Sequence, residues 1–368
     1  MDRRLFIGSA AAAAFTPTIA RAQAGFALTL SDVGLLMPVT VKGRTMKAIF
    51  DCGASQCILD SKLAQAMGIA VVKTFRAEAA YDGFKAGRSD PVDLLIGDRA
   101  FRQTLMITPL GEIGEDVGML IGRDVLAEAC LDLDVPNRRA SFQATRPAPG
   151  LSPIRMIQGL HGDPVVQVEV EGLTANASLD SGNTQPLMIR KDWWDRASGL
   201  RDHVLTPWVG DDLSGQASIT MTDLKRFGFG GVDLHDVPAE VSQTQLSYEV
   251  NLGLPVLQRF HSFWDLKTET LWLSPSTAEL SKPFEHERAG LACARVGDVL
   301  KVVYVVPDSK AAQVGFKAED EITAIDGKSV SAMSEDASLA WKHDPARTSV
   351  LLTVGSGEIR HLDLHDYF

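Results

Sequence analysis

Two segments of the chain repeat one another at a nearly constant spacing. Residues 48–56 and residues 177–185 each place an Asp-x-Gly triplet after an apolar run, so that Asp51 and Asp180 lie 129 residues apart. Two further landmarks recur in the same order at an offset of 131, namely Gly122 with Gly253 and Asp134 with Asp265. Matched landmarks in one order predict a fold built from two duplicated lobes.

Short apolar runs of strand length occur in both repeats, for example at residues 36–41, 92–96 and 165–170, with Gly and Asp turns between them. Only residues 61–67 and 191–197 favour helix in these two segments. The sequence therefore predicts that both lobes are mainly β.

Two linkers divide the chain. Residues 143–153 contain three prolines, and residues 281–289 are rich in charge. We predict lobe one at residues 25–145, lobe two at residues 154–280 and a third domain at residues 286–368.

The negative net charge of the chain argues against two classes of binding partner. The formal net charge is −11, which disfavours binding to nucleic acid or to an anionic membrane. No apolar run is long enough to span a bilayer. The cysteines after residue 24 have no CxxC spacing and no clustered histidines, so we expect no metal site and mostly buried thiols, at Cys52, Cys57, Cys130 and Cys293.

Residues 1–24 have the pattern of an export signal. Arg3 and Arg4 precede an apolar stretch, and small-x-small sites follow at residues 20–22 and 22–24. This pattern resembles a bacterial twin-arginine signal, and an ordinary secretory signal is the alternative. Both predict a periplasmic or secreted protein.

The Asp-x-Gly triplet occurs four times, at Asp32, Asp51, Asp116 and Asp180. Most such triplets are turns in which the aspartate caps the backbone. Only those at Asp51 and Asp180 follow the end of an apolar strand, precede a Ser or Thr and a new apolar run, and belong to the repeat. These two aspartates are therefore the candidate functional residues.

Residues 50–55 (FDCGAS) resemble the F-D-T-G-A-S motif of the aspartic proteases, and residues 179–184 (LDSGNT) resemble the motif of their second lobe. Residues 120–122 resemble the hydrophobic-hydrophobic-glycine element of that family, and residues 122–142 its lobe-closing segment. The resemblance covers roughly residues 26–275. It implies pepsin-like duplication of short, retropepsin-like lobes.

The resemblance implies a catalytic pair, Asp51 and Asp180. Two adjacent carboxylates share one proton, and the pair activates a water that attacks a peptide carbonyl. The loop residues that would support the pair are Cys52, Gly53, Ser55, Ser181, Gly182, Asn183 and Thr184.

Two positions depart from the family pattern. Cys52 replaces the usual Thr or Ser, whose hydroxyl braces the opposite lobe, so we expect a lopsided brace. Asn183 replaces a small residue, and its amide is expected to bond Asp180. The alternative function is therefore a catalytically inactive protein of the same fold that binds peptides or acts as a scaffold.

Each lobe of such a protease carries a flap over the substrate. In lobe one we predict the flap tip at Tyr81 and Gly83, and in lobe two its counterpart at Trp208 and Gly210. The alternative for each is an exposed turn or a packed core aromatic.

The third domain resembles bacterial PDZ domains. Residues 301–316 and 319–330 follow the ordered pattern of that family, with Lys310, Val314 and Glu319 as departures. The resemblance implies a groove that takes a peptide C-terminus as an added strand, with Gly290 and Leu291 as the carboxylate loop. The alternative is a degenerate domain that only packs against the lobes.

The sequence as a whole favours an exported aspartic endopeptidase that hydrolyses proteins or peptides without cofactor or metal. No G-x-S-x-G motif is present for a serine hydrolase, and residues 228–233 lack the pattern of a dinucleotide loop.

Overall fold

The computed structural model describes residues 25–78, 83–97, 99–111, 116–143, 147–159, 162–212, 215–243, 246–355 and 357–368. Within these residues the protein is mainly β, which confirms the predicted fold class. The predicted export signal at residues 1–24 and the predicted flap residue Tyr81 lie outside them. In the described ranges no helix is long and apolar enough to cross a membrane.

Lobe one consists of β-strands and two short helices. Its strands are β1 (Phe26–Ala27), β2 (Thr29–Ser31), β3 (Gly34–Val41), β4 (Arg44–Phe50), β5 (Ile58–Asp60), β6 (Lys73–Glu78), β7 (Gly83–Ile96), β8 (Arg99–Thr108), β9 (Val117–Ile121), β10 (Cys130–Asp134) and β11 (Arg139–Gln143), and its helices are α1 (Ser61–Ala66) and α2 (Asp124–Glu128). Eight strands form one sheet in the order β2-β3-β4-β9-β5-β8-β7-β6. The helix predicted at residues 61–67 is α1, and the Asp60 side chain caps its first turn.

Lobe two repeats this architecture. Its strands are β12 (Ser152–Arg155), β13 (Ile157–Gln158), β14 (Pro164–Val170), β15 (Leu173–Asp180), β16 (Leu187–Arg190), β17 (Thr206–Asp212), β18 (Gly215–Phe229), β19 (Val232–Ser242), β20 (Val250–Gly253), β21 (Phe260–Asp265) and β22 (Thr270–Pro275), and its helices are α3 (Lys191–Arg196), α4 (Leu254–Leu257) and α5 (Thr277–Leu280), with a 3-10 turn at Ser198–Leu200. The sheet order β13-β14-β15-β20-β16-β19-β18-β17 matches that of lobe one strand for strand. The extra pairings β3–β7 and β14–β18 also correspond, so the sequence repeat is a repeat of topology.

A third sheet joins the two lobes. Its order is β1-β11-β10-β21-β22-β12, in which β10 of lobe one pairs antiparallel with β21 of lobe two. Leu131 lies opposite Trp264 in this pairing, and both are buried in a core that extends through both lobes. β12 begins inside the predicted linker at residues 143–153, because the edge of β22 offers its backbone groups a pairing partner.

An ion pair crosses this sheet between the lobes. His261 Nε2 lies 2.5 Å from Oδ1 of Asp132, and this hydrogen bond raises the pKa of His261 above its usual value of about 6.5. The folded state therefore binds the proton more tightly than the unfolded state. Its contribution to stability is complete below about pH 6.5 and is lost as pH rises through the higher, folded-state pKa.

We expect His261→Gln to reduce the free energy of unfolding by about 1 kcal/mol at pH 5.5 and by much less at pH 9. Urea denaturation at both pH values measures the difference. His361→Gln is the matched control, since His361 is exposed on the third domain. An equal loss for His261→Gln at both pH values would contradict a role for the ion pair.

The C-terminal domain has its own core. Its strands are β23 (Leu291–Val296), β24 (Val299–Val305), β25 (Glu321–Ile325), β26 (Lys328–Ser329), β27 (Ser349–Val354) and β28 (Glu358–Asp363), and its helices are α6 (Lys310–Gln313) and α7 (Glu335–Leu339), with 3-10 turns at Val330–Ala332 and Ala340–Lys342. The sheet runs β23-β24-β25-β27-β28, and β26 pairs with β25. Leu300, Ile322 and Trp341 are among the residues of the buried cluster beneath it.

The segment before the C-terminal domain is packed rather than loose. The buried Arg259 side chain donates hydrogen bonds to the carbonyls of Glu279 and Lys282, at 2.8 and 2.7 Å. The guanidinium of Arg259 also lies 3.8 Å from the ring centroid of Phe284, which is buried. The linker predicted at residues 281–289 is thus held against lobe two.

Candidate active site

Two equivalent loops present the repeated aspartates. Asp51 follows the last residue of β4, and Asp180 is the last residue of β15. Each of these strands pairs in parallel with a strand that leads to a landmark glycine, β4 with β9 and β15 with β20. Gly122 lies so close to the backbone of Gln56 that a side chain there would clash, so this glycine supports the first loop from beneath.

The loops cross so that each carboxylate lies against the glycine of the other loop. A Cβ atom on Gly53 would come within 2.7 Å of both carboxylate oxygens of Asp180. A Cβ atom on Gly182 would likewise come within 2.7 Å of both oxygens of Asp51. The absence of side chains at these two glycines is what allows the aspartates of the two lobes to meet.

Residues 52 and 181 brace the crossing from both sides. The Ser181 hydroxyl donates to the carbonyl of Phe50 at 2.8 Å and accepts from the N–H of Cys52 at 3.0 Å. The Cys52 thiol donates to the carbonyl of Leu179 at 3.4 Å and accepts from the N–H of Ser181 at 3.3 Å. All four contacts of the brace are present, but the two sulfur bonds are longer than the two oxygen bonds, so the brace is complete and lopsided, as the thiol of Cys52 predicts.

The two carboxyl groups form a pair. The carboxyl groups of Asp51 and Asp180 lie at the same crossing, each against the glycine of the opposite loop, and the N–H of Ala54 donates to Oδ1 of Asp51 at 2.9 Å. Burial, followed by the neighbouring charge of Asp180, raises the pKa of Asp51 to about 7. A pair of this kind holds one proton around neutral pH, so one member can donate a proton while the other accepts one.

A side-chain amide contacts Asp180, but it belongs to Asn251 and not to Asn183. Asn251 Nδ2 donates to Oδ2 of Asp180 at 2.8 Å. Asn183 Nδ2 donates to Oδ1 of Asn251 at 2.8 Å, so the Asn183 side chain is linked to the carboxylate only through Asn251. The expectation that the side-chain amide of Asn183 bonds the Asp180 carboxylate is wrong, because β20 places the amide of Asn251 there. One sequence signal pointed to Asn251, namely its position two residues before Gly253.

Arg123 is a second residue that the motifs did not single out. Its guanidinium donates to the carbonyl of Gly53 at 2.6 Å and forms an ion pair with Asp163 of lobe two at 2.9 Å. Arg123 is only 6% exposed, so it ties the first loop to the opposite lobe within the protein interior. Its neighbour Asp124 accepts hydrogen bonds from the N–H and the thiol of Cys57.

The other predicted site residues lie in several places. Ser55 and Thr184 are exposed on the two loops. Gly83 opens β7 opposite Glu78, and Gly210 pairs with Ala217 in the equivalent β17–β18 hairpin of lobe two.

Trp208 packs against the C-terminal domain. Its ring centroid lies 5.2 Å from that of Phe368 and 5.8 Å from that of Tyr304. The hairpin predicted as a flap exists, but the assignment of Trp208 as a substrate-covering residue is corrected to one of a domain interface, because residues of the C-terminal domain cover its ring.

The predicted carboxylate loop of the C-terminal domain is partly covered. Gly290 has a φ of +67° and lies beneath the ring of Tyr367, and Leu291 is buried. The Glu287 carboxylate accepts from the N–H of Ala289 at 2.9 Å and pairs with the buried Lys342 ammonium at 2.9 Å. One N–H of this segment is therefore already bonded to an internal carboxylate.

The thiols and the acidic groups form no metal centre among the residues that the structure describes. All four cysteines at positions 52, 57, 130 and 293 are free, and Cys52 and Cys57 are fully buried. Burial raises the pKa of the Cys52 thiol to about 12, so this sulfur stays protonated and acts as a hydrogen-bonding group.

Comparison with known families agrees with this arrangement. Residues 37–128 match the family model of the gag-polyprotein putative aspartyl protease, a range that contains Asp51, its loop and Gly122. Residues 301–354 match the family model of the PDZ domain. No curated protein matches the chain. The chain therefore contains a gag-polyprotein-like aspartyl protease domain and, towards its C-terminus, a PDZ domain.

Proposed function

We propose that this protein is an aspartic endopeptidase whose catalytic residues are Asp51 and Asp180. The observation that carries the proposal is that two carboxyl groups, one from each lobe, meet at the crossing of two equivalent loops, each against the glycine of the other loop. The complete brace between Cys52 and Ser181 supports this function over an inactive scaffold, since the loops keep the contacts that hold the pair in place.

In this mechanism a water molecule bound between the carboxyl groups attacks the carbonyl carbon of a peptide bond. The charged carboxylate takes a proton from the water, and the protonated carboxyl donates to the developing oxyanion. The groups then exchange roles as the amine leaves, because the pair must return to one shared proton. Peptide hydrolysis in this form uses the two carboxyl groups and one water molecule.

The pH dependence of cleavage tests the proposal. With the pKa of Asp51 raised to about 7, the shared proton is lost above that pH, and kcat/KM is expected to fall about tenfold for each further pH unit. Initial rates on an unfolded protein substrate from pH 4 to pH 9 measure this. Circular dichroism over the same range controls for unfolding. Cleavage that still rises towards pH 9 would contradict a dyad that holds one proton.

The proposal includes export from the cytoplasm. Arg3 and Arg4 ahead of an apolar stretch, followed by small-x-small cleavage sites, support a periplasmic or secreted enzyme. Fractionation of cells that express the full chain tests whether the protein leaves the cytoplasm. The same measurement with Arg3 and Arg4 replaced by lysine tests whether it uses the twin-arginine route.

We also propose that the PDZ domain binds peptides along β23. This strand pairs with β24 and forms one edge of the domain's described sheet, which leaves its other side for an added strand. Titration calorimetry with a peptide library is expected to find ligands that bind more weakly, by about tenfold, when their C-terminus is amidated. Equal affinity for free and amidated peptides would place internal segments, not C-termini, at this edge.

A further inference from the structure

Asn251 breaks the symmetry of the two lobes beside the dyad. Its counterpart in lobe one is Leu120, since each lies two residues before a landmark glycine. Leu120 is in register with Ile49 and Ile58, whereas Asn251 is in register with Ser178 and Met188. The equivalent position therefore carries an apolar side chain in lobe one and, in lobe two, an amide that contacts Asp180.

The orientation of this amide is fixed by its own partners. Asn251 Oδ1 accepts from Asn183 Nδ2, and Asn183 Oδ1 accepts in turn from the N–H of Gln185. With its oxygen engaged, Asn251 directs Nδ2 to Asp180. An amide N–H only donates, and a donor at this distance favours a carboxylate over a neutral carboxyl group.

We propose that Asn251 is a positioning residue that keeps Asp180 as the ionised member of the pair and leaves the shared proton on Asp51. The inference rests on the proposed function and assigns one role to each carboxyl group. Asp180 takes the proton from the attacking water, and Asp51 protonates the carbonyl oxygen of the substrate. The pKa of Asp51, raised by burial, agrees with this assignment.

Asn251→Leu, which installs the residue that lobe one uses, tests the role. Loss of the donor is expected to move the acid limb of the kcat/KM profile upward by about one pH unit, equivalent to about 1.4 kcal/mol. Asn183→Ala removes only the partner of Asn251 Oδ1 and keeps the amide donor beside Asp180, so it should shift the limb in the same direction but by less. Asn251→Ala gives the same comparison if the leucine variant does not fold.

Carboxyl ¹³C NMR titration of the same variants separates this inference from the proposed function, because it measures the first ionisation of the pair without substrate. An upward shift in Asn251→Leu supports the positioning role even in a chain that cleaves nothing. An unchanged first ionisation overturns the role even if Asp51 and Asp180 prove essential for cleavage.

A separate observation concerns the face of the lobe-two sheet that carries Asn251, at the edge formed by β17 and β18. Residues in register across neighbouring strands share one face. From Asn251 the register runs through Met188, Glu240 and Met221 to Thr206. Because Asn251 contacts Asp180, this is the face of lobe two on which the carboxyl pair lies.

The C-terminal tail of the chain covers that face. Phe368 packs in one buried cluster with Ile219 and Met221, and the Thr206 hydroxyl donates to the carbonyl of Tyr367 at 3.1 Å. Met221 is three strands from Asn251, about 14 Å at the usual spacing. About four residues of an extended peptide span this distance. In lobe one, the equivalent face carries an apolar cluster that includes Ile49, Ile58 and Leu120.

We infer that the tail, residues 364–368, occupies the outer part of the lobe-two half of the substrate cleft and competes with long substrates there. This inference also rests on the proposed function. The tail leaves the pair itself free, so a short peptide binds beside it. A peptide that extends four or more residues into lobe two must displace Phe368.

Phe368→Ala is expected to raise kcat/KM about tenfold for such a long peptide and to leave a short peptide unchanged. Ile359→Ala is the matched control, since this apolar residue of the same domain is 65% exposed. Thr206→Val removes the contact from the lobe-two side without touching the PDZ domain, and a smaller rise is expected. Unchanged rates on the long peptide in both tail-contact variants overturn the inference.

Hydrogen exchange keeps this test independent of cleavage. In a chain carrying Asp51→Asn, the long peptide should reduce the protection of amides in residues 364–368, and the short peptide should not. Equal protection with both peptides, at concentrations shown by calorimetry to saturate binding, would place the tail outside the cleft.

Discussion

Asparagine at either Asp51 or Asp180 is expected to lower kcat/KM for peptide cleavage by about 10³-fold or more. Each substitution removes one of the two groups that share a proton, and a carboxamide neither takes a proton from water nor donates an acidic one. The two single variants should lose activity to a similar extent, because neither carboxyl group works alone. Near wild-type turnover in one of them would contradict the dyad.

The same variants should remain folded. Asp51→Asn removes a carboxyl group that burial disfavours in its charged form, so its free energy of unfolding should increase by about 1 kcal/mol or more at pH 8 and change little at pH 4. The direction of this change follows from the raised pKa of Asp51. As pH rises from about 4 to about 7, the wild-type native state loses stability relative to the unfolded state, because its buried carboxyl group ionises less readily. Asp32→Asn is the matched control: it alters an exposed Asp-x-Gly triplet elsewhere and should affect neither property.

Alanine at Gly53 or Gly182 is expected to reduce activity about 10²-fold while all catalytic groups remain present. The added Cβ would lie within 2.7 Å of the carboxylate oxygens of the opposite lobe, so the two loops must move apart. A displacement of catalytic groups by about 1 Å lowers the reaction rate by about 10²-fold. The melting temperature should also fall, since the brace between Cys52 and Ser181 lies on the same loops.

Gly199→Ala provides the control for this pair. A Cβ on Gly199 would meet nothing within 4 Å, and its backbone does not require glycine. Assays of kcat/KM and thermal unfolding on the three alanine variants should separate steric displacement from a general effect of replacing glycine. Full activity in Gly53→Ala would mean that the loops do not cross in solution as they do in the structure.

Several features of the fold could be predicted from the sequence because local spacing encodes them. The repeat around Asp51 and Asp180 predicted the two lobes, and the matching strand order of their sheets follows from it. Residues 61–67 and 191–197 form helices α1 and α3 as expected. The PDZ domain was also predictable, since its motif is a long and nearly contiguous run.

Other features needed the tertiary structure, because they depend on contacts between residues far apart in the chain. Asn251 reaches Asp180 across 71 residues, and Arg123 joins Gly53 to Asp163 of the other lobe. Neither contact leaves a local pattern, so the motifs pointed instead to Asn183.

The sequence by itself determined which residue types meet at the crossing of the loops, since the order of Asp, Gly and apolar residues sets each strand and turn. Only the packing of the domains decided the surroundings of those residues. Packing places the Cys52 thiol against the carbonyl of Leu179 and the Trp208 ring against that of Phe368. Burial of these side chains stabilises the contacts. Local sequence does not specify them, because the partners are far apart in the chain.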